Sequence, residues 1–231
     1  MRDDTTPTGP LETLADELEA VSPGFAGRLR ETAARLGAGV PVELMQEYSA
    51  CVRRVVVLEG AGREASQALI ALDAADLAGI GVELLEAWCA AAETIAGHSV
   101  RAASVFGAAA LTGLRATPRP RADELGIAAD AVAALARRHG GDPIVQRFAT
   151  AAGQALATRG GAVVEAWATA VERIAFGSRR ALDVASRLPD HPDLSDAELA
   201  AALALAARVA PRVPAHALGA QVAGALGRSP G

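Results

Sequence analysis

Residues 86–105 read EAWCAAAETIAGHSVRAASV, and residues 165–184 read EAWATAVERIAFGSRRALDV. The two stretches align without gaps, and eleven of the 20 aligned positions are identical. The shared Trp, Glu, Ile, Ser and Arg residues carry this match, because Ala is so frequent in the chain that its matches mean little. Internal self-similarity of this kind is typical of proteins built from structural repeats.

Each copy has the pattern of a helical hairpin. Trp88, Ala92 and Ile95 are spaced i, i+4 and i+7, which places them on one face of a helix and predicts that this face is buried. The second copy repeats the stripe with Trp167, Val171 and Ile174. Gly97-His98 predicts the end of the first helix, and Ser99 is suited to cap the next one. The equivalent break and cap in the second copy are Gly177 and Ser178.

The offset of 79 residues between the copies indicates two units of about 40 residues each. Tyr48 lies 40 residues before Trp88, and Leu135 lies 40 residues after Ile95. Residues 208–210 echo residues 173–175 at a shorter offset of 35. Hairpins of this length stack into an α-solenoid of HEAT or armadillo type. The sequence therefore predicts an all-α fold, an α-solenoid of about five antiparallel HEAT-like hairpins.

Proline, glycine and capping residues divide the chain further. Ser22-Pro23, Pro41, Asp142-Pro143 and Pro214 predict helix starts, and Ser195 with Glu198 forms a capping box. About ten to twelve helices of roughly 10 to 17 residues follow from this punctuation. The predicted segments are an acidic leader with capping helices (1–40), a first pair of repeats (41–117), a Pro/Arg hinge (118–122), a second pair (123–190) and a C-terminal capping hairpin (191–231). Six acids against one Arg in the first 20 residues predict a solvated leader.

Composition excludes several classes of enzyme. Ala occupies 57 of the 231 positions, which favours helix almost everywhere, and all 22 basic residues are Arg. Without Lys the chain cannot form a Schiff base with pyridoxal phosphate, a phosphate-loop lysine or a Lys/Ser dyad. The net charge of −5 argues against nucleic acid as a partner, since such proteins present a basic face. No catalytic residue and no cofactor is predicted, and we expect a protein that is not an enzyme.

The chain is expected to be cytoplasmic, with no transmembrane segment. Its longest uncharged windows, between Arg101 and Arg115 and between Arg212 and Arg228, are shorter than the ~18–20 apolar residues that span a bilayer. The polar, acidic N-terminus is unlike a signal peptide. Cys51 and Cys89 lie in apolar helical pattern, which predicts small buried thiols of a reducing compartment rather than a disulfide.

Other motifs have simpler structural explanations. Residues 53–65 imitate a dinucleotide-binding fingerprint, but no second β-branched run is available to build its sheet, so a helix ending at a glycine turn is expected. Residues 93–101 imitate a helix-turn-helix without the basic cluster that grips phosphates. His98, His139, His191 and His216 lie near predicted helix ends without metal-ligand spacing, and no metal site is predicted.

Six charged residues recur between the copies and form the candidate partner surface: Glu86, Glu93, Arg101, Glu165, Glu172 and Arg180. Solvated helix faces and capping explain such residues in part. The alternative is a repeated polar surface that is presented to another protein.

The order Trp, Ile-Ala, Ser and an Ala-rich second helix resembles the HEAT-like repeats that precede the von Willebrand A domain in nitric-oxide-reductase activation proteins. The resemblance covers mainly residues 82–114 and 161–188. In that family the helical part accompanies a metal-dependent adhesion domain and partners a MoxR-type AAA+ ATPase. The nearest match to the adhesion motif D-x-S-x-S is Asp193-Leu-Ser195-Asp-Ala197, which lacks the final Ser. The resemblance implies a helical partner-binding role with such an ATPase.

The sequence therefore favours a noncatalytic scaffold or adaptor for protein–protein interaction, within an ATPase-linked maturation or regulatory assembly. A phasin-like amphipathic coat protein is an alternative, suggested by the Ala-rich helices and the positive mean hydropathy of +0.23. It would require long uninterrupted helices. An all-α small-molecule-binding regulator is a third possibility, because pockets between helices leave little trace in sequence.

Overall fold

The structure, a computed structural model, describes residues 9–175, 182, 185, 187 and 193–225. Within these residues the chain is helical with no β-strand, which confirms the all-α prediction. The eleven α-helices described are α1 (Pro10–Leu18), α2 (Pro23–Leu36), α3 (Val42–Glu59), α4 (Glu64–Ile70), α5 (Ala74–Ala96), α6 (Val100–Arg115), α7 (Ala122–His139), α8 (Pro143–Thr158), α9 (Gly161–Ala175), α10 (Asp196–Val209) and α11 (Ala215–Ala225).

The helices begin where the capping signals predict. Ser99 Oγ accepts a hydrogen bond of 3.2 Å from the backbone N–H of Ala102 at the start of α6. Asp142 caps α8 in the same way through the N–H of Ile144, at 3.0 Å. At α10 the capping box is closed by a 2.9 Å bond from Ser195 N–H to the Glu198 carboxylate. These side chains satisfy backbone donors that have no partner inside their helix.

Helix lengths depart from the expected 10 to 17 residues in both directions. Helix α4 has only seven residues, whereas α5 has 23 and is broken at Gly81, where φ is 72° and ψ is 174°. A residue with a side chain is disfavoured at that φ, so glycine permits the break. The periodicity of α5 runs through Gly81, which is why the sequence pattern did not separate its first seven residues.

The helices pack in two rows. Helices α1, α3, α5, α7, α9 and α10 contact one another in that order, and we call them the first row. Helices α2, α4, α6 and α8, the second row, do the same. Each first-row helix from α1 to α7 also contacts the second-row helix that follows it in the chain, and α11 packs on α10. A helix is thus packed mainly against the neighbours in its own row and against a helix that is next to it in the chain.

The predicted aromatic and aliphatic stripes form the core between the rows. Trp88, Ala92 and Ile95 of α5 are buried, as are Trp167, Val171 and Ile174 of α9. The indole N–H of Trp88 donates to the carbonyl oxygen of Gly107 in α6, at 3.0 Å. Tyr48 of α3 makes the analogous bond from its hydroxyl to the carbonyl oxygen of Leu69 in α4, at 2.9 Å. Two aromatic residues 40 positions apart therefore make equivalent hydrogen bonds, one from α3 to α4 and the other from α5 to α6.

Glycine allows α6 and α8 to pack with their backbones in contact. A Cβ placed on Gly153 of α8 would lie 2.6 Å from Ala109 Cβ and 2.7 Å from the backbone nitrogen of Ala110. A Cβ placed on Gly113 of α6 would lie 2.9 Å from the backbone nitrogen of Ala157. Real Cβ atoms do not approach other atoms this closely, so neither glycine has room for a side chain.

The N-terminal acidic segment differs from the expected solvated leader. Residues 10–18 form α1, in which Leu11, Leu14 and Ala15 are buried. Because these residues are spaced i, i+3 and i+4, they give the acidic segment an apolar stripe that packs on α2. The excess of acidic residues predicted a solvated segment, because net charge does not show how the apolar residues are spaced.

The segment between α6 and α7 contains the predicted hinge at 118–122. The Thr117–Pro118 peptide is cis, Pro120 is buried, and Arg119 Nε donates to the carbonyl oxygen of Leu114 at 2.9 Å. On either side of the segment, α5 packs on α7 and α6 packs on α8. Both rows therefore continue across it, and a hinge at this point stays a prediction about motion.

In the part of the chain that the structure describes, no helix is long and apolar enough to cross a membrane.

Candidate functional site

The outward face of the first row carries three of the six candidate partner-surface residues. Glu86 of α5 and Glu165 of α9 are exposed at equivalent positions of the two sequence copies, and Glu172 of α9 is exposed as well. Helix α7, which lies between α5 and α9 in the row, exposes Asp130 on its surface. These carboxylates belong to consecutive helices of one row and are free of the core.

Glu93 lies in the same row but is engaged within the chain. Arg54 of α3 donates two hydrogen bonds to its carboxylate, from Nε at 2.6 Å and from Nη2 at 2.5 Å. This bidentate pair is only partly solvated, with 37% and 38% of the two side chains exposed. The hydrogen bonds from Arg54 lower the pKa of Glu93. Glu93 therefore joins two neighbouring helices, and its surface role stays a prediction.

Arg101 of α6 belongs to the second row and is also paired within the chain. Its Nη1 lies 2.5 Å from Glu64 Oε1 of α4, and Ser104 donates to the other oxygen of Glu64 at 2.8 Å. Hydrogen bonds from the backbone N–H of Glu64 itself, from Ser104 and from Arg101 lower the pKa of this carboxyl group. The sixth candidate, Arg180, lies outside the described residues.

These pairs are members of a set with a common spacing. Arg115 at the end of α6 binds Asp76 at the start of α5, and Arg159 after α8 binds Asp196 at the start of α10. The two partners are 39 residues apart for Arg54–Glu93 and Arg115–Asp76, and 37 residues apart for Arg101–Glu64 and Arg159–Asp196. With Arg53–Glu17, whose partners are 36 residues apart, five ion pairs thus connect segments at a spacing close to the period of about 40 residues in the sequence.

We expect the Arg54–Glu93 pair to contribute modestly to stability. A double-mutant cycle with Arg54→Ala and Glu93→Ala should give a coupling free energy of up to about 1 kcal/mol, because solvent and salt screen a half-exposed pair. This coupling free energy is obtained from the urea unfolding of the wild type, the two single variants and the double variant. The same cycle with Glu172→Ala in place of Glu93→Ala is the control and should show no coupling.

The pH dependence of this pair has a defined sign. Because the pKa of Glu93 is lower in the folded protein, the pair stabilises the protein above the pKa that Glu93 has when unfolded. That contribution should disappear as the pH falls through the lower folded pKa. A coupling that instead grows on acidification would contradict the assignment.

Charge is distributed unequally between the rows. The first-row helices contain 17 Asp and Glu residues against 6 Arg, whereas the second-row helices contain 2 against 6. The net charge of −5 for the whole chain conceals this separation. The first-row helices are therefore acidic and the second-row helices basic in a protein of mild overall charge, and a negative surface potential attracts positively charged partners.

A cleft of about 380 Å³ lies between α2 and α4, lined in part by Arg28, Glu31, Arg35 and Gln67. Arg35 Nη2 donates to two carbonyl oxygens at the end of α4, those of Ile70 at 2.6 Å and Leu72 at 3.0 Å. The guanidinium of Arg35 is thus used to hold α4 against α2. No sequence pattern predicted this cleft, because its residues come from two separate segments of the chain.

Glu59 is a buried carboxylate, with only 9% of the residue exposed. No sequence pattern indicated that it would be buried. Its Oε1 accepts a 2.6 Å hydrogen bond from the backbone N–H of Ser66, in the first turn of α4. Its Oε2 is buried and has no hydrogen-bond partner among the described residues. This carboxylate at the end of α3 therefore fixes the turn that the sequence presented as a dinucleotide fingerprint. The turn follows a helix and not a strand, as expected.

The three histidines that the structure describes lie at or near helix ends. His98 is exposed in the turn after α5, His139 is the last residue of α7, and His216 is exposed near the start of α11, whereas His191 is outside the described residues. Across residues 9–175 and 193–225, no three His, Cys, Asp or Glu side chains are grouped so that they could hold a metal ion. Ser195, from the partial adhesion motif, serves as the cap of α10.

Cys51 and Cys89 are both buried and free, as the sequence predicts. They lie on α3 and α5, which are neighbours in the first row.

No family model, curated protein or solved structure matches this chain.

Proposed function

We propose that this protein is a noncatalytic helical-repeat scaffold, an α-solenoid of HEAT-like hairpins that binds another protein through the first row. One observation carries the proposal. Successive helices of the first row pack on one another and carry the exposed carboxylates of Glu86, Asp130 and Glu165. Repeat proteins commonly use such continuous surfaces to bind extended partners.

The partner that suits this surface is a protein segment rich in Arg or Lys. Glu86, Asp130, Glu165 and Glu172 lie on the first-row helices and are exposed. A basic segment laid across α5, α7 and α9 would meet carboxylates from three helices in succession. Electrostatic attraction of this kind speeds association and aids specificity more than it adds affinity.

The family resemblance implies a MoxR-type AAA+ ATPase as the partner. The proposed role is then in an ATPase-linked maturation or regulatory assembly. The helical architecture and the acidic first row are compatible with this role, and the identity of the partner rests on the resemblance alone.

The alternatives have less support. A granule coat of phasin type needs long amphipathic helices, but among the described helices α3 and α7 have 18 residues each and α5 is interrupted at Gly81. Their apolar faces are buried in the core. A small-molecule regulator would use the cleft between α2 and α4, where Arg35 is already bound to the carbonyl oxygens of Ile70 and Leu72.

Affinity purification with the full chain as bait, from the cells that produce it, tests the proposal. We expect one dominant protein partner, and we expect Glu86→Gln with Glu165→Gln to reduce its recovery several-fold at low salt. The neutralised positions are exposed. Removing their charge should therefore weaken binding without unfolding the protein.

The matched control is Thr112→Lys with Gln154→Lys. These two positions are exposed on α6 and α8 in the second row, and the change raises the net charge by the same amount as the double Glu→Gln variant. Recovery with the control should equal that of the wild type. Equal recovery from both variants would reject the first row as the binding surface. Recovery of a clean monomer with a bound metabolite, or of granules, would reject the scaffold itself.

A further inference from the structure

Cys51 of α3 and Cys89 of α5 are neighbouring thiols at the contact between these two helices. Cys51 Sγ lies 3.6 Å from the carbonyl oxygen of Leu85, and Cys89 follows Leu85 by one helical turn. One turn further along both helices, Arg54 binds Glu93. The two helices are therefore aligned in the same direction, with a shift of 38 residues for the cysteines and 39 for the ion pair. Both thiols are fully buried at this contact.

The surroundings make the two thiols unequal. The neighbouring Cys51 thiol and the positive charge of Arg54 lower the pKa of Cys89. The neighbouring Cys89 thiol, burial and nearby negative charge raise the pKa of Cys51, which also lies 3.6 Å from the carboxylate of Glu47. Cys89 is thus the better nucleophile, because the thiolate is the reactive form of cysteine. Cys51 is the neighbouring thiol that can react with a sulfenic acid formed on Cys89.

We propose that Cys51 and Cys89 are a peroxide-responsive dithiol, which forms a reversible intramolecular disulfide between α3 and α5. This inference goes beyond the scaffold function and does not depend on it. The oxidant is a small hydroperoxide, such as hydrogen peroxide, which is little larger than the water molecules that enter proteins during local opening.

The chemistry proceeds in two steps. The Cys89 thiolate attacks one peroxide oxygen, the O–O bond breaks, and the leaving hydroxide takes up a proton to become water, so that Cys89 becomes a sulfenic acid. The Cys51 sulfur then attacks the Cys89 sulfur. The S–O bond breaks, the S–S bond forms, and the hydroxyl leaves with the proton of Cys51 as a second water. Two electrons pass from the two thiols to the peroxide.

The test exposes the folded full-length chain to hydrogen peroxide and follows its intact mass. We expect the loss of two hydrogens, a Cys51–Cys89 disulfide in the unreduced peptide map, and full reversal by dithiothreitol. Circular dichroism should stay helical throughout. The chain unfolded in urea and treated in the same way reports the reactivity of thiols that have no defined neighbours.

Two variants separate the roles of the cysteines. In Cys51→Ser, Cys89 should form a sulfenic acid that dimedone traps, because no resolving thiol remains. In Cys89→Ser, Cys51 should react more slowly than Cys89 does in Cys51→Ser, because the carboxylate of Glu47 lies 3.6 Å from Cys51 and disfavours its thiolate. The proposal is overturned if the folded wild type keeps both thiols while the unfolded chain oxidises. Disulfides between chains, or equal rates in the two variants, would also overturn it. The wild-type mass and peptide map decide the matter even if a variant fails to fold.

Discussion

Trp88→Ala is expected to lower the free energy of unfolding by about 3–5 kcal/mol, the cost of removing a large aromatic residue from a core. Trp88 is completely buried between α5 and α6, and its indole N–H donates to the carbonyl oxygen of Gly107 at 3.0 Å. Gly107 packs closely on the indole ring, since a Cβ placed on it would lie only 3.1 Å from that ring. The substitution therefore leaves a cavity and removes the hydrogen bond that joins α5 to α6. Urea unfolding followed by circular dichroism measures the loss.

Trp88→Phe is the matched control for this prediction. It keeps much of the ring volume but removes the hydrogen bond, so its cost should fall well below that of Trp88→Ala. If Trp88→Ala costs less than about 1 kcal/mol, as a substitution at the surface would, then Trp88 is not an anchor of the hairpin.

The second large effect is expected at Gly153. Gly153→Ala should destabilise the protein by about 1–3 kcal/mol, because the added methyl group forces apart two tightly packed helices. The new Cβ would lie 2.6 Å from Ala109 Cβ, 2.7 Å from the Ala110 nitrogen and 2.9 Å from the Phe106 carbonyl oxygen. Two of these three atoms belong to the backbone, which cannot move aside as a flexible side chain can.

Gly126→Ala is the control, because it makes the same change in another helix. Gly126 is an exposed residue of α7, and a Cβ built on it has nothing within 4 Å. This substitution should stabilise the protein by about 0.5–1 kcal/mol, since Ala loses less conformational freedom in a helix than Gly. Opposite signs at Gly126 and Gly153 are the expected result of thermal or urea unfolding. Equal effects would mean that α6 and α8 are not in backbone contact.

The sequence predicted those features that depend on local chemistry. Caps such as Ser99 and Ser195 act within one helical turn, so their residue types reveal them. The stripe of Trp88, Ala92 and Ile95 repeats with the helical period, and burial of one face follows from that period. The internal repeat then indicated that Trp167 would lie in a similar place, and it is buried as well.

Features that depend on distant parts of the chain were harder to predict. The sequence presents Gly81, Gly113 and Gly153 as similar residues within helical pattern, although the first breaks a helix and the others allow two helices to touch. Which of these a glycine does depends on what packs against it. The Arg54–Glu93 pair likewise requires the relative alignment of two helices, which no single helix encodes.

The period of about 40 residues nevertheless indicated two contacts between distant parts of the chain. Cys51 and Cys89 are 38 residues apart, and Arg54 and Glu93 are 39 apart. In a protein with units of about 40 residues, positions one period apart on first-row helices are neighbours. Searching for charged or thiol pairs at that spacing would have found both contacts. The difference in charge between the two rows could not be predicted, because it depends on which helices belong to each row.

The central claim is that the first-row helices form a linear array of repeats, and distances between spin labels test it most directly. Ala50 of α3, Ala90 of α5, Thr169 of α9 and Ala204 of α10 are exposed on first-row helices. Each can be replaced by Cys for labelling, in a background with Cys51→Ala and Cys89→Ala.

Neighbouring packed helices lie about 8–10 Å apart. The distance should therefore grow by about that amount with each helix of the row that separates two labels. Pairs 90–169, 50–169 and 50–204 are separated by two, three and four such steps, so their distances should increase in that order. A distance for 50–204 no longer than that for 90–169 would mean that the helices close into a bundle, and would contradict the repeat architecture.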